Sequence, residues 1–380
     1  MSTLTNKKSA GAILGEYGAF IALALLVIVL SIVEPSFRAP SNLMNLLRQA
    51  SFNGLIAFGM TLVILSDGID LSVGSVFALS AIICAELLVS GMPAVLAVLI
   101  ALVVGTALGA ISGLLVTKGR LQPFIATLIT MTAYRGLAKI ITSGKPISQL
   151  ANSATSGDFF FKAMGKGSVL IAETIKIPIP AIVLGVAFLL VYFIQNKTPF
   201  GRRIYATGSN AKCANLVGVN TAKIKIACYS ISGFLSALAG LLMISRLDSA
   251  QPTLGSGYEL DAIAAVALGG TSMSGGRGKI TGTIAGVLII AVLNNGLNIR
   301  DVSSYYQEVI KALVILVAVL SDRKRKEGEY HEKCHEKSIC NAALRRNDAV
   351  PDGLPHRDRR RGILRCQGGR LRGPVRFYTE

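Results

Sequence analysis

Apolar runs long enough to cross a bilayer recur down the chain, separated by short breaks rich in Gly, Ser and Lys or Arg. Crossing roughly 30 Å of hydrocarbon takes about 20 mostly apolar helical residues. By that criterion about ten segments qualify as transmembrane or re-entrant helices, at 16–33, 50–66, 70–90, 93–117, 122–142, 178–195, 222–245, 259–273, 279–299 and 303–321. Those at 50–66 and 259–273 are short for a full span, which leaves room for tilted or re-entrant elements. The pattern predicts an all-α polytopic membrane protein in three parts: an N-terminal stretch over 1–15, a membrane domain over 16–322, and a basic tail over 323–380 without apolar periodicity. The run 19–33 behind Lys7 and Lys8 has no small-x-small cleavage site after it and reads as a retained first span.

The polar breaks give an orientation. With the N-terminus inside, ten crossings leave 66–69, 118–121, 196–221, 274–279 and the C-terminus on the same side. Four of these five carry bases: Lys118 and Arg120; Lys197, Arg202, Arg203 and Lys212; Arg277 and Lys279; and Arg323 to Lys326. The excess of bases on cytoplasmic loops therefore places both termini in the cytoplasm. The connection 143–177, on the other side, is the longest. Gly144, Pro146, Asn152 and Gly157 make it loop-like, either a solvated loop or an entrance cap.

Composition agrees with a membrane protein. The chain is 52% hydrophobic and 16% charged, where soluble domains run near roughly a quarter charged. The net charge of +18 invites a nucleic-acid reading, but residues 323–380 hold 16 Lys/Arg against 8 Asp/Glu, and much of the remainder sits in the breaks between apolar runs. No nucleic-acid partner is expected. Cys84 and Cys228 lie in apolar runs, Cys213 in a break, and Cys334, Cys340 and Cys366 in the tail, so no disulfide framework emerges. His331 and His335 flank Glu332 at the HExxH spacing, but Cys334 and Cys340 extend it to no familiar zinc pattern and the tail lacks the helical apolar periodicity that the motif needs, so no metal site is expected. All three His lie in the tail, so the membrane domain holds no HExxH, and GxSxG does not occur. The chain therefore reads as no enzyme.

Three polar stretches carry candidate function. The first, Asp67 to Gly74, holds Gly68, Asp70, Leu71, Ser72 and Gly74. Asp70 stands where an N-cap for a helix from Leu71 belongs. The stretch reads as an elbow at the cytoplasmic end of a pathway, or simply as a capped hairpin. The second holds Gly269 and Gly270, then Gly275, Gly276, Arg277 and Gly278. It lacks Walker spacing and follows no strand, so it is no nucleotide site. Residues 65–76 and 268–281 resemble one another faintly, as duplicated transporter halves do. Among ionisable residues near spans are Glu86, Arg135, Lys139, Glu308 and Lys311; the last two are three apart and can pair on one helix face. No run of buried carboxylates or histidines suggests proton coupling.

The third stretch, 201–220, is polar with a helical pattern of its own. Asn210 can cap a short helix, Ala211, Ala214, Leu216 and Val217 fall at helical spacing, and Gly218 can end it. Such a helix suits docking in another protein's groove, or lying among lipid headgroups.

Taken in order, Asp67 to Gly74, Thr198 to Arg203 with Ala206 to Asn210, Gly218 to Asn220, and Ala267 to Gly270 followed by Gly275 to Gly278 resemble the permease subunit of bacterial ABC importers for monosaccharides, of the ribose, xylose, arabinose and galactose type, over roughly residues 10–322. The likeness is greatest to the ribose members. It implies a multi-pass protein of the bacterial plasma membrane that works as two permease copies. Two ATPase subunits inside would bind ATP and magnesium, so this chain needs no cofactor, and a sugar-binding protein would deliver a monosaccharide outside. It also implies that Gly201, Arg202, Arg203, Gly208, Asn210, Ala214, Gly218 and Val219 form the loop that contacts the ATPase, and that a bulky residue at Gly208 or Ala214 uncouples transport. An ion-coupled carrier working alone, or a permease of the same superfamily for another cargo such as a branched-chain amino acid, remain the alternatives. Family members end near Lys326, so 327–380 reads as an altered reading frame or a disordered tail whose removal leaves uptake intact.

Overall fold

The computed structural model describes residues 10–150, 159–172, 175–303, 305–314 and 316, all within a unit spanning Met1–Val319. The expectations about 1–9 and about the tail over 323–380 fall outside the described residues. Within them the chain is mostly helical: α1 Ala10–Val33, α2 Pro40–Leu65, α3 Val73–Val89, α4 Ala94–Thr117, α5 Pro123–Thr142, α6 Phe159–Lys166, α7 Ile179–Lys197, α8 Pro199–Ser209, α9 Ala211–Leu216, α10 Thr221–Leu247, α11 Tyr258–Leu268 and α12 Ile280–Ile299, with residues 305–314 also helical. Proline opens α2, α5, α7 and α8 in the first turn. There its missing N–H leaves no bond unmade and its fixed φ suits the helix.

Among the described residues, six helices are long and apolar enough to cross a membrane: α2, α4, α5, α7, α10 and α12. They fall into two groups. The apolar windows of α2, α10 and α12 are 78%, 67% and 61% buried, whereas α4, α5 and α7 are only 28–39% buried. The first group is the centre of the bundle. The second turns Leu99, Val103, Ile129, Ile140, Leu189 and Phe193 outward, an apolar perimeter suited to lipid. The protein is a multi-pass membrane protein.

Three expectations about elements need correction. The short segment at 50–66 is the inner part of a 26-residue helix, because the polar residues from Pro40 onward are helical too. The segment at 259–273 contains only α11, whose 11 residues reach about 16 Å and cannot span by themselves. The outer connection 143–177 is not wholly loop-like. It carries α6 and an antiparallel pair, β2 Ser168–Ala172 with β3 Ile175–Pro178, while β1 Ile147–Ser148 pairs with β4 Ser249–Ala250. Part of it, 151–158, lies outside the described residues.

Close backbone approach joins the central helices. Gly105, Gly109 and Gly113 of α4 lie one above the other, four residues apart, against α10. A Cβ on them would stand 2.4 Å from Ala237 Cβ, 2.3 Å from the Tyr229 carbonyl oxygen and 2.9 Å from Ile226 Cα. Gly233 of α10 returns the contact, its added Cβ falling 2.3 Å from the Gly105 carbonyl. Small residues at such spacing let membrane helices touch without side chains between them. Gly282 and Gly286 of α12 do the same against Gly269 and Ala265.

Candidate functional site

The four described connections expected on the cytoplasmic side share one end of the bundle. Asp67, Thr117, Leu121, Pro123, Ala211 and Thr221 line a cavity of about 340 Å³ there. Gly208, the penultimate residue of α8, packs against the end of α2 so closely that a Cβ would sit 1.8 Å from the Leu65 carbonyl and 2.7 Å from the Gly276 nitrogen. Gly276 N donates to that same Leu65 carbonyl at 3.0 Å. A Cβ on Gly275, at φ +75°, would be 3.0 Å from both Asp67 Cβ and the Gly208 carbonyl. Backbone crowding thus brings three separately noted stretches into one junction: the elbow, the polar loop at 201–220 and the second glycine-rich loop. The two turns of the faint internal repeat meet here.

The polar loop holds two helices where one was expected. α8 starts with Pro199 behind Thr198, whose side chain accepts from Gly201 N at 3.2 Å. That Thr-Pro signature is legible in the sequence and marks the missed helix. Gly201, Ile204, Thr207 and Gly208 form the buried face of α8, while Arg202 and Arg203 are exposed. The far side of the junction is pinned by Gln195 and Tyr205. Gln195 Oε1 accepts from Ile280 N at 3.0 Å, its Nε2 donates to the Tyr205 hydroxyl at 2.8 Å, and that hydroxyl donates to the Gly278 carbonyl at 2.6 Å. Burial pushes the Tyr205 phenol above its ordinary pKa, against a smaller lowering by Gln195.

The predicted helix is α9. Asn210 Oδ1 accepts from Cys213 N at 3.0 Å, and Gly218 turns the chain at φ +85°. Ala214 is buried and Val219 is half-buried, its amide donating to the Ala214 carbonyl. Leu216 and Val217 are 87% and 80% exposed, which leaves apolar surface available at the end of α9. The buried positions of Gly208 and Ala214 change what a bulky substitution there tests: it breaks the packing of this chain before it reaches any coupling. Leu216 and Val217 are the informative positions.

The elbow differs from its expected form. α3 begins at Val73 after Ser72, not at Leu71, so Asp70 does not cap it. Asp70 Oδ1 instead accepts from Ser72 N at 3.0 Å and Ser72 Oγ at 2.6 Å, and Oδ2 accepts from Ser232 Oγ at 3.1 Å. Nor does it lie at the open end of the bundle. Ser232 is the twelfth residue of α10, which places Asp70 about 16 Å along that helix, and the residue is 1% exposed. Leu71 and Ser72 are buried with it, and a Cβ on Gly68 would lie 2.8 Å from the Tyr229 hydroxyl. Gly74 lies at the far end, where an added Cβ would be 2.3 Å from the Gly255 carbonyl. Gly269 packs on Gly282, Gly270 turns at φ +78°, and the Arg277 carbonyl accepts from Ser272 N at 2.8 Å within its own loop.

Sequence reasoning missed the α10 side of the site. Lys225 Nζ donates to the Asp67 carbonyl at 2.9 Å, Tyr229 Oη to the Ile69 carbonyl at 3.1 Å, and Ser232 Oγ to Asp70. Their i, i+4, i+7 spacing marks one face of a helix, but only the fold shows what that face holds. The expected Glu308–Lys311 pair is also replaced: Lys311 Nζ meets Asp261 Oδ2 of α11 at 3.2 Å. Arg135 donates to the Pro252 and Leu254 carbonyls at 2.7 and 2.6 Å. These bonds satisfy two carbonyls of the non-helical turns that lead into α11.

Residues 42–319 match the family described as branched-chain amino acid transport system / permease component. The ribose import permease protein of Bacillus subtilis (strain 168) is 53% identical over 82% of this chain and 94% of its own length. The ribose import permease protein of Haemophilus influenzae is 49% identical over 85% of this chain and 97% of its own. The xylose transport system permease protein of Escherichia coli (strain K12) is 34% identical, covering 77% and 87%. No solved structure matches the chain. A family match over 42–319, joined to such relatives over most of its length, means that the chain belongs to the permease-component family of ABC transport systems.

Proposed function

We propose that this chain is the permease subunit of an ATP-driven importer that passes D-ribose, or a closely similar monosaccharide, across the bacterial plasma membrane. The names of its relatives support the sugar and the ABC class, which in turn implies an ATPase inside and a binding protein outside. The observation that carries the mechanistic part is α9: a capped helix at the end of the bundle where the basic connections gather, with Leu216 and Val217 turned outward. In this reading the chain crosses ten times with both termini in the cytoplasm. The stretch from Ala250 to Leu268, a run of turns followed by α11, supplies one of those crossings.

ATP and magnesium stay with the ATPase subunits. Their closure displaces α9, and the movement passes through α8 and α10 to the bundle, which switches its open side. Two copies of the chain form the path. Gly201, Arg202, Arg203, Gly208, Asn210, Ala214, Gly218 and Val219 belong to the coupling region in unequal roles: Arg202 and Arg203 face the partner, and the glycines and Ala214 hold the helices that present them. The family's printed description names branched-chain amino acids as cargo, so the test includes both. Proteoliposomes holding the chain with its ATPase should accumulate ribose when ATP and a ribose-loaded binding protein are supplied. Accumulation of leucine instead, or of ribose on an ion gradient without ATPase, would refute the reading.

A further inference from the structure

We infer that Asp70 is a positioning residue for transport: it fastens the elbow to α10, so that displacement of the coupling region is delivered to the path. The inference rests on the function proposed above and adds the route between its two ends. The route begins at α9, where Asn215 Oδ1 accepts from Thr221 N at 3.3 Å and Thr221 Oγ1 at 3.0 Å and so ties α9 to the first residue of α10. From there one face of α10 holds the elbow at three successive levels, through Lys225 to the Asp67 carbonyl, Tyr229 to the Ile69 carbonyl and Ser232 to the Asp70 carboxylate. The seven steps from Lys225 to Ser232 climb about 10 Å. The non-helical backbone of the elbow therefore travels with α10 and not independently of it.

Asp70 is the inner end of this ladder and its only side-chain acceptor. Its carboxylate takes three hydrogen bonds, from Ser72 N, Ser72 Oγ and Ser232 Oγ, and no lysine or arginine pairs with it among the described residues. A carboxylate in a membrane protein's interior is costly and normally functional. For capping α3 a serine or threonine would serve, and α3 does not use it. What Asp70 alone does is bridge the elbow and α10 with the two oxygens of one group. The bridge extends sideways, since Ser72 Oγ lies 3.3 Å from Ser112 Oγ of α4, which donates to Thr130 of α5 at 3.1 Å. Beyond it, Gly74 abuts Gly255 backbone to backbone. That contact carries the elbow's position into the turns at 252–257 that lead into α11.

The experiment is ATP hydrolysed per ribose delivered, measured in proteoliposomes with the ATPase and the loaded binding protein. Asp70→Asn keeps the shape and removes the charge, and Ser232→Ala removes the bond from the other side. Each should raise the ATP-to-ribose ratio about tenfold. A purely structural role would lower both quantities with the amount of assembled complex and leave the ratio unchanged; an unchanged ratio in Ser232→Ala overturns the inference even if Asp70→Asn fails to assemble. If the wild-type complex delivers no ribose at all, the proposed function fails instead, so the two failures are distinguishable.

Discussion

The elbow and α9 are both polar interruptions in an apolar chain, yet the protein treats them in opposite ways. In the elbow, α10 meets the backbone and the buried Asp70 carboxylate with donors from within the chain, α5 adds Thr127 Oγ1 to the Ile69 carbonyl, and Asp70 is 1% exposed. In α9 the backbone is capped locally by Asn210 and tied to α10 through Asn215, but among the described residues Leu216 and Val217 are left 87% and 80% exposed. An element whose inner polar groups are answered internally, as those of Ile69 and Asp70 are, is part of the machine's frame or its moving parts. An element that is locally satisfied and apolar outward is a surface prepared for another molecule. The glycines between the two regions have no room for a side chain, so the prepared surface is mounted directly on the internal one.

Substitutions that enter the junction should have the largest effect. Gly208→Val puts a branched side chain where a Cβ already falls 1.8 Å from the Leu65 carbonyl, and should remove the protein from the membrane fraction, as judged by immunoblot of membranes. Gly109→Leu should come next. Its Cβ would be 2.3 Å from the Tyr229 carbonyl, and overpacking of this kind costs about 1–3 kcal/mol when the helices can shift. A lowered melting point in detergent checks it; an unchanged one would show that α4 and α10 are not in backbone contact. At α9 the effect should separate cleanly from stability. Leu216→Asp with Val217→Asp should leave the melting point within about 0.5 kcal/mol of wild type, as exposed sites do, while abolishing co-purification of the ATPase. Lys225→Met should be the mildest. Its ion pair with Asp67, at 3.7 Å with Asp67 mostly exposed, adds about 0–1 kcal/mol, so the main loss is one bond to the Asp67 carbonyl, visible as a small fall in melting temperature.

Much of this was legible from patterns. Apolar length located the spans, base distribution grouped connections that do share one end, and Asn210 with Gly218 bracketed α9. What the sequence hid has identifiable causes. Helix α2 begins ten residues ahead of its apolar run, because a buried helix inside a bundle can carry Asn42 against Asn295 and still be helical. Asp70 looked like a cap because local spacing cannot reveal Ser232, which is 162 residues away. Lys311 was assigned to Glu308 on one helix, whereas a longer-range carboxylate, Asp261, was the better partner. The α4 glycines at 105, 109 and 113 carried a readable small-residue spacing, and their partner on α10 was not readable at all.

The central claim is that α9 is the surface through which a separate ATPase drives this chain. It is tested most directly by ATP-dependent ribose uptake into proteoliposomes containing the ATPase and the binding protein, comparing wild type with Leu216→Asp/Val217→Asp at equal amounts of inserted permease. Uptake should require ATP and both partners in the wild type and should vanish in the variant. Undiminished uptake by the variant would contradict the account.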